Sequence, residues 1–135
     1  MMVAWPNDMA EQSPSVLVAD DSASWRDAVG DCLARAGFRT LEAADGEEAV
    51  EIVRCERIDV LLIDFHMPRL DGLQAIRIIR REHRWLPSVL MTAHPTAVPA
   101  DEVRSLGIAT VLAKPADRRI IVTTVIRVMH GEEVG

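Results

Sequence analysis

Between residue 15 and about residue 130 the chain alternates, five times over, a short run of β-branched and aliphatic residues with a longer amphipathic segment. Few architectures accept that rhythm. A strand, a helix and a further strand in one sheet require the helix to cross a sheet face, which makes the strands parallel and the domain α/β. The strand candidates are 16–20, 38–43, 58–64, 88–91 and 108–113. The first, third and fourth are continuous apolar runs, the mark of strands covered on both faces, whereas the second and fifth alternate and belong nearer the edges.

The helical segments follow the same logic. The first places Trp25, Ala28, Val29, Cys32, Leu33 and Ala36 at spacings of three and four, a stripe expected to face the core, and Gly37 supplies a left-handed stop. Helices are expected at 47–56 and 73–82, with a shorter one at 100–106 before Gly107. The last, capped by Asp117 and running to about His130, carries Ile121, Val122, Val125, Ile126 and Met129. It is more apolar than a fully solvated helix, so part of its surface is expected to meet a partner or a second copy.

With 135 residues and 49% hydrophobic content there is room for one domain, assigned to 15–130, with a mobile N-terminal tail at 1–14 and a C-terminal tail at 131–135. The closing HGEEVG suits the start of a linker equally well, so a free-standing protein and a module of a longer one both stay open. The formal charge is -6 and the acids are spread along the chain, leaving no clustered basic surface for direct nucleic-acid binding. No run approaches the roughly 18 apolar residues of a membrane span, and the first residues lack the basic start and apolar core of a signal peptide. A cytoplasmic location is expected. Cys32 and Cys55 both fall inside helical patterns and are read as reduced, buried side chains.

In an open parallel sheet the carboxyl ends of all strands emerge on one edge. Asp20 and Asp21 follow the first strand, Asp64 the third, Thr92 the fourth and Lys114 the fifth, so three carboxylates, a hydroxyl and an ammonium are expected to converge there. Three acids so crowded repel one another unless a divalent cation sits among them. Magnesium suits that donor set, because it favours oxygen ligands, retains several waters and accepts a phosphate oxygen.

The segments ADDS at 19–22, DFHMPRLDG at 64–72, TA at 92–93 and KP at 114–115, in that order, resemble response regulator receiver domains of two-component systems, the CheY-like family. The resemblance implies a flavodoxin-like, doubly wound five-stranded parallel sheet of order 2-1-3-4-5 with five helices. It implies Asp64 as phosphoacceptor, and Mg2+ held by Asp20, Asp21, Asp64 and the backbone carbonyl of His66, with Asp20 acting largely through water. Thr92, the Ala93 backbone amide and Lys114 would contact the phosphoryl group, and the Lys114–Pro115 peptide would be cis. His66 and His94, each two residues past a site residue, are candidates for tuning the lifetime of the phosphoryl group.

Upstream, the implied partner is a histidine kinase or phosphotransfer protein. Downstream it is a protein partner or a homodimer, reached through the fourth helix, fifth strand and last helix. The chain would catalyse only its own phosphorylation and dephosphorylation. An aspartyl phosphatase would want a second acid where His66 stands, and a flavin carrier would want a Ser/Thr-rich loop where Asp20 and Asp21 stand. Val111 departs from the family, occupying the place of a Tyr or Phe that swings inward on activation, and Ala116 stands where Phe often follows Lys-Pro. Pro95 and Pro99 point to a stiff, extended loop ahead of a short fourth helix.

Overall fold

The computed structural model describes residues 13–131; of the expected tails at 1–14 and 131–135, residues 1–12 and 132–135 lie outside them. The elements in chain order are β1 (Ser15–Ala19), α1 (Ala23–Arg35), β2 (Arg39–Ala43), α2 (Gly46–Cys55), β3 (Val60–Asp64), α3 (Gly72–Glu82), β4 (Ser88–Thr92), α4 (Ala100–Ser105), β5 (Thr110–Ala113) and α5 (Arg118–Met129). The strands form one sheet of order β2-β1-β3-β4-β5, every pair parallel. That is the expected order. β1, β3 and β4 are buried throughout, while β2 and β5 are partly exposed and form the two edges.

Because side chains alternate across a strand, each strand feeds two cores. Val16, Val18, Val60, Leu62, Val89 and Met91 pack against Val29 and Leu33 of α1 and against Ile121, Val125 and Val128 of α5. Leu17, Leu61, Ile63 and Leu90 pack on the opposite face against Val50 and Val53 of α2 and Ile76 and Ile79 of α3. Each such Leu or Ile, removed from water, contributes about 1.5–3 kcal/mol.

The helix starts are fixed by local chemistry. Ser22, Asp45, Asp71 and Asp117 cap α1, α2, α3 and α5, each accepting a hydrogen bond from a backbone N–H of the first turn. At α3 the cap is reciprocal: Asp71 accepts from Gln74 N at 2.8 Å, and the Gln74 side chain accepts from Asp71 N at 2.9 Å. Asp71→Ala should cost about 1 kcal/mol of stability with no change in cooperativity, as read by urea unfolding. Gly37, at φ +99°, and Gly107, at φ +65°, end their helices in the left-handed region, as expected of the first.

Three expectations need correction. The α1 stripe buries Val29, Gly30, Cys32 and Leu33, but Ala28 and Ala36 are exposed and Trp25 is only half-buried. Cys55 is exposed rather than buried. It lies off the apolar face that Gly46, Ala49, Val50 and Val53 give α2, and its thiol faces Glu51 Oε1 at 3.6 Å. The segment after His94 is not extended: Pro95–Ala97 wind into a 3-10 turn closed by Ala97 N donating to His94 O at 3.0 Å. A proline ring at the first position of such a turn already has the φ it needs and loses no donor. The fourth helix is short, as expected.

Candidate functional site

The parallel sheet delivers the strand ends to one edge. Asp20 follows β1, Asp64 is the last residue of β3, Thr92 the last of β4, and Lys114 follows β5. Asp20 is 0% and Asp64 5% exposed, whereas Asp21 is open to solvent. Carboxylate oxygens of Asp20, Asp21 and Asp64 all lie within 4.8 Å of one another. Lys114 reaches into the cluster, its Nζ donating to Asp20 Oδ2 at 2.7 Å and lying 3.6 Å from Asp64 Oδ1. The other Asp20 oxygen accepts from Ser22 N at 2.9 Å.

Three carboxylates thus face one ammonium, with an oxygen-only donor set. The imbalance is visible at Asp64: burial first, then the charge of Asp20, pushes its carboxyl above the usual range, with Lys114 opposing and Asp21 adding to the rise. The cluster fits a hard divalent cation, whose charge would offset the repulsion among the three carboxylates that Lys114 leaves uncancelled.

The remaining expected residues sit around this centre. The Lys114–Pro115 peptide is cis. Thr92 is fully buried, and its Oγ1 accepts from His94 N at 3.0 Å, which ties the hydroxyl to the loop that follows β4. Ala93 and His94 are exposed beside it. His66 is exposed on the loop after Asp64, its ring tilted 57° against that of Phe65 with centroids 4.6 Å apart. Asp21, His66, Met67, Pro68 and Asp71 line a shallow open depression next to the acids. No contact brings the His66 or His94 side chain into the Asp64 cluster among the interactions of the described residues.

Two contributors escape the sequence patterns. Trp25, read as part of the core stripe, lies with its ring centroid 5.2 Å from Lys114 Nζ. Arg26 donates from Nη1 to the Asp20 carbonyl oxygen at 2.6 Å and pairs with Glu42 at 3.1 Å, pinning the strand end that carries the acids. Both lie in the first turn of α1, where no spacing marks Arg26 and the core spacing of Trp25 accounts for its ring without Lys114.

The family profile for the response regulator receiver domain matches residues 16–126. The chain belongs to that family. It is a CheY-like receiver domain of the two-component kind. Sporulation initiation phosphotransferase F of Bacillus subtilis is 30% identical over 102 residues, covering 76% of this receiver and 82% of that protein. The chemotaxis response regulator CheY4 of Vibrio cholerae superposes with a TM-score of 0.80 at 30% identity, over 87% of this chain and 99% of that one. The receiver domain of the sensor histidine kinase PA1611 of Pseudomonas aeruginosa PAO1, solved with a magnesium ion in its active-site cleft, gives a TM-score of 0.80 at 28% identity, over 87% and 98% of the two chains. The receiver spans only 18% of a Vibrio cholerae sensor kinase/phosphatase and 25% of a Pseudomonas aeruginosa response regulator that it also matches. Among its described residues no helix is long and apolar enough to cross a membrane.

Proposed function

We propose that the protein accepts one phosphoryl group on Asp64 from a histidine kinase or phosphotransfer protein, and signals by a phosphorylation-dependent contact with another protein. The observation that carries this reading is the buried Asp64 carboxylate at the sheet edge, flanked by two further acids and by the Lys114 ammonium. An Asp64 oxygen attacks phosphorus, a P–O bond forms as the donor's P–N bond breaks, and the leaving imidazole takes up a proton from solvent. Asp20, Asp21 and Asp64, with the His66 backbone carbonyl, would hold Mg2+. When bound, the metal supplies positive charge that offsets the carboxylates and the incoming phosphoryl oxygens.

The chain's own groups do the rest. Lys114 exchanges a carboxylate for a phosphoryl oxygen, Thr92 turns its hydroxyl from His94 N toward a second oxygen, and the Ala93 amide donates to the same group. Thr92 thereby couples the site to the turn at Pro95–Ala97 and to α4. Val111, with no ring to swing, leaves that turn as the route outward, toward the edge strand β5 and the exposed Ile120 and Ile126 of α5.

Incubation with magnesium and acetyl phosphate, or with a phosphorylated donor protein, should add one acid-stable, base-labile phosphoryl group by intact mass. Asp64→Asn should add none. An equal adduct on that variant, or no adduct on the wild type, would refute the reading. The His66 and His94 side chains, each two residues past a site residue, are proposed to tune decay of the adduct; unchanged decay in both single substitutions would remove that role.

A further inference from the structure

We propose that Trp25 is a positioning residue for Lys114: its indole face holds the ammonium in the corner between Asp20 and Asp64 and so sets how well the site takes a phosphoryl group. The inference rests on the acceptor reading of Asp64. Lys114 Nζ lies 5.2 Å from the Trp25 ring centroid, within the range where a cation gains from the negative face of an aromatic ring. The Lys114 side chain is 19% exposed, so this attraction is only partly screened.

The indole is not placed by its own polar group. Trp25 Nε1 is buried and has no hydrogen-bond partner among the described residues, a costly arrangement for a donor. The ring is kept for its face and its bulk, not for its N–H. Its backbone is fixed from the acid side of the site: Trp25 N donates to Ser22 Oγ at 3.3 Å, Ser22 N donates to Asp20 Oδ1, and neighbouring Arg26 donates to the Asp20 carbonyl. The first turn of α1 therefore carries the ring and the acid as one unit, and Lys114 bridges them from the far side of the sheet.

A lysine is a flexible point charge with three donors and four rotatable carbons, and it must trade a carboxylate for a phosphoryl oxygen without drifting away. An aromatic face attracts the charge but takes up none of its donors for a strong hydrogen bond. A carboxylate in the same place would compete with the phosphoryl group.

The test compares wild type with Trp25→Phe, Trp25→Leu and Trp25→Met, the last two retaining apolar bulk so that one folded variant without a ring is in hand. Beryllofluoride is titrated at saturating magnesium, magnesium alone is titrated separately, and NMR of the metal-free proteins follows the Lys114 methylene protons. Loss of the ring should weaken beryllofluoride binding about fivefold, leave magnesium affinity unchanged and abolish an upfield ring-current shift at Lys114. Trp25→Phe should restore both the binding and the shift. Equal beryllofluoride affinity in the ringless variants, a parallel loss of magnesium affinity, or a Phe variant no better than Leu would overturn the inference alone. A wild type that takes no beryllofluoride would overturn the acceptor reading, and this inference with it.

Discussion

Magnesium will raise the melting temperature of the protein at neutral pH, and in the absence of metal Asp64→Asn will raise it too. Both effects come from the uncancelled charge among Asp20, Asp21 and Asp64. A ligand bound only by the folded state stabilises it by about 2.7 kcal/mol at roughly a hundredfold its dissociation constant. Asp21→Ala should remove most of that gain, and because Asp21 is exposed it should do so with little effect on the metal-free fold. Without metal the sign follows from Asp64, whose carboxyl is held above its ordinary value of 3.8 by burial and by its acidic neighbours. Below that value it is protonated in both folded and unfolded chains and costs nothing. As pH rises from 3.8 through the higher native value, the unfolded chain ionises first and stability falls. Asparagine escapes this loss, so its advantage should grow across that interval, persist above it and vanish below it. Scanning calorimetry in chelator across pH decides the matter: an Asp64→Asn protein that melts lower than wild type at neutral pH would contradict the charge argument.

The architecture was legible because two independent signals agreed. Continuous apolar runs at β1, β3 and β4 can be buried only between helices, and the alternation at β2 and β5 needs one wetter face, which fixes centre and edge before any topology is assigned. The candidate site was legible for a related reason: parallel strands turn sequence position at a strand end into spatial proximity. Asp20, Asp64 and Lys114 meet because of that geometry alone.

Features without a period were not legible. Cys55 sits about 200° around α2 from Val53, on the face opposite Gly46, Ala49 and Val50, a placement that residue type alone, which favours burial for cysteine, does not give. Arg80, in the basic last turn of α3, is half-buried and has its guanidinium lowered in basicity by burial. It donates to the carbonyls of Leu86 at 2.8 Å and Leu106 at 2.7 Å, clasping the end of α3 to the start of β4 and the end of α4. No spacing rule announces a cation whose partners are backbone oxygens from other elements. Trp25 was hidden in the opposite way, because a large apolar side chain at a core spacing is already explained before its neighbour Lys114 is known.

Two glycines will respond to the same substitution with opposite signs. Gly30 lies inside α1, and a Cβ placed there would meet Glu42 Oε2 at 3.7 Å and Thr40 Oγ1 at 3.9 Å, ordinary contacts. Alanine there restricts the unfolded chain and improves helix propensity, so Gly30→Ala should stabilise by about 0.5–1 kcal/mol. Gly72 opens α3 directly after the Asp71 cap, and a Cβ there would lie 2.4 Å from the Asp64 carbonyl oxygen and 2.9 Å from Leu90 Cδ1. The leucine tip has room to turn away; the strand backbone does not. Relief requires α3 to retreat from β3, which strains the Gly72 N to Phe65 O hydrogen bond of 2.9 Å and moves the end of the strand that presents Asp64. Gly72→Ala should therefore cost about 3 kcal/mol, at the upper end for overpacking, and should weaken magnesium and beryllofluoride binding although it touches no ligand. Chemical denaturation of the two variants beside wild type reads the stability change. A Gly72→Ala protein as stable as wild type, with an unaltered response to magnesium, would mean that the close approach of α3 to β3 does not hold the site in place.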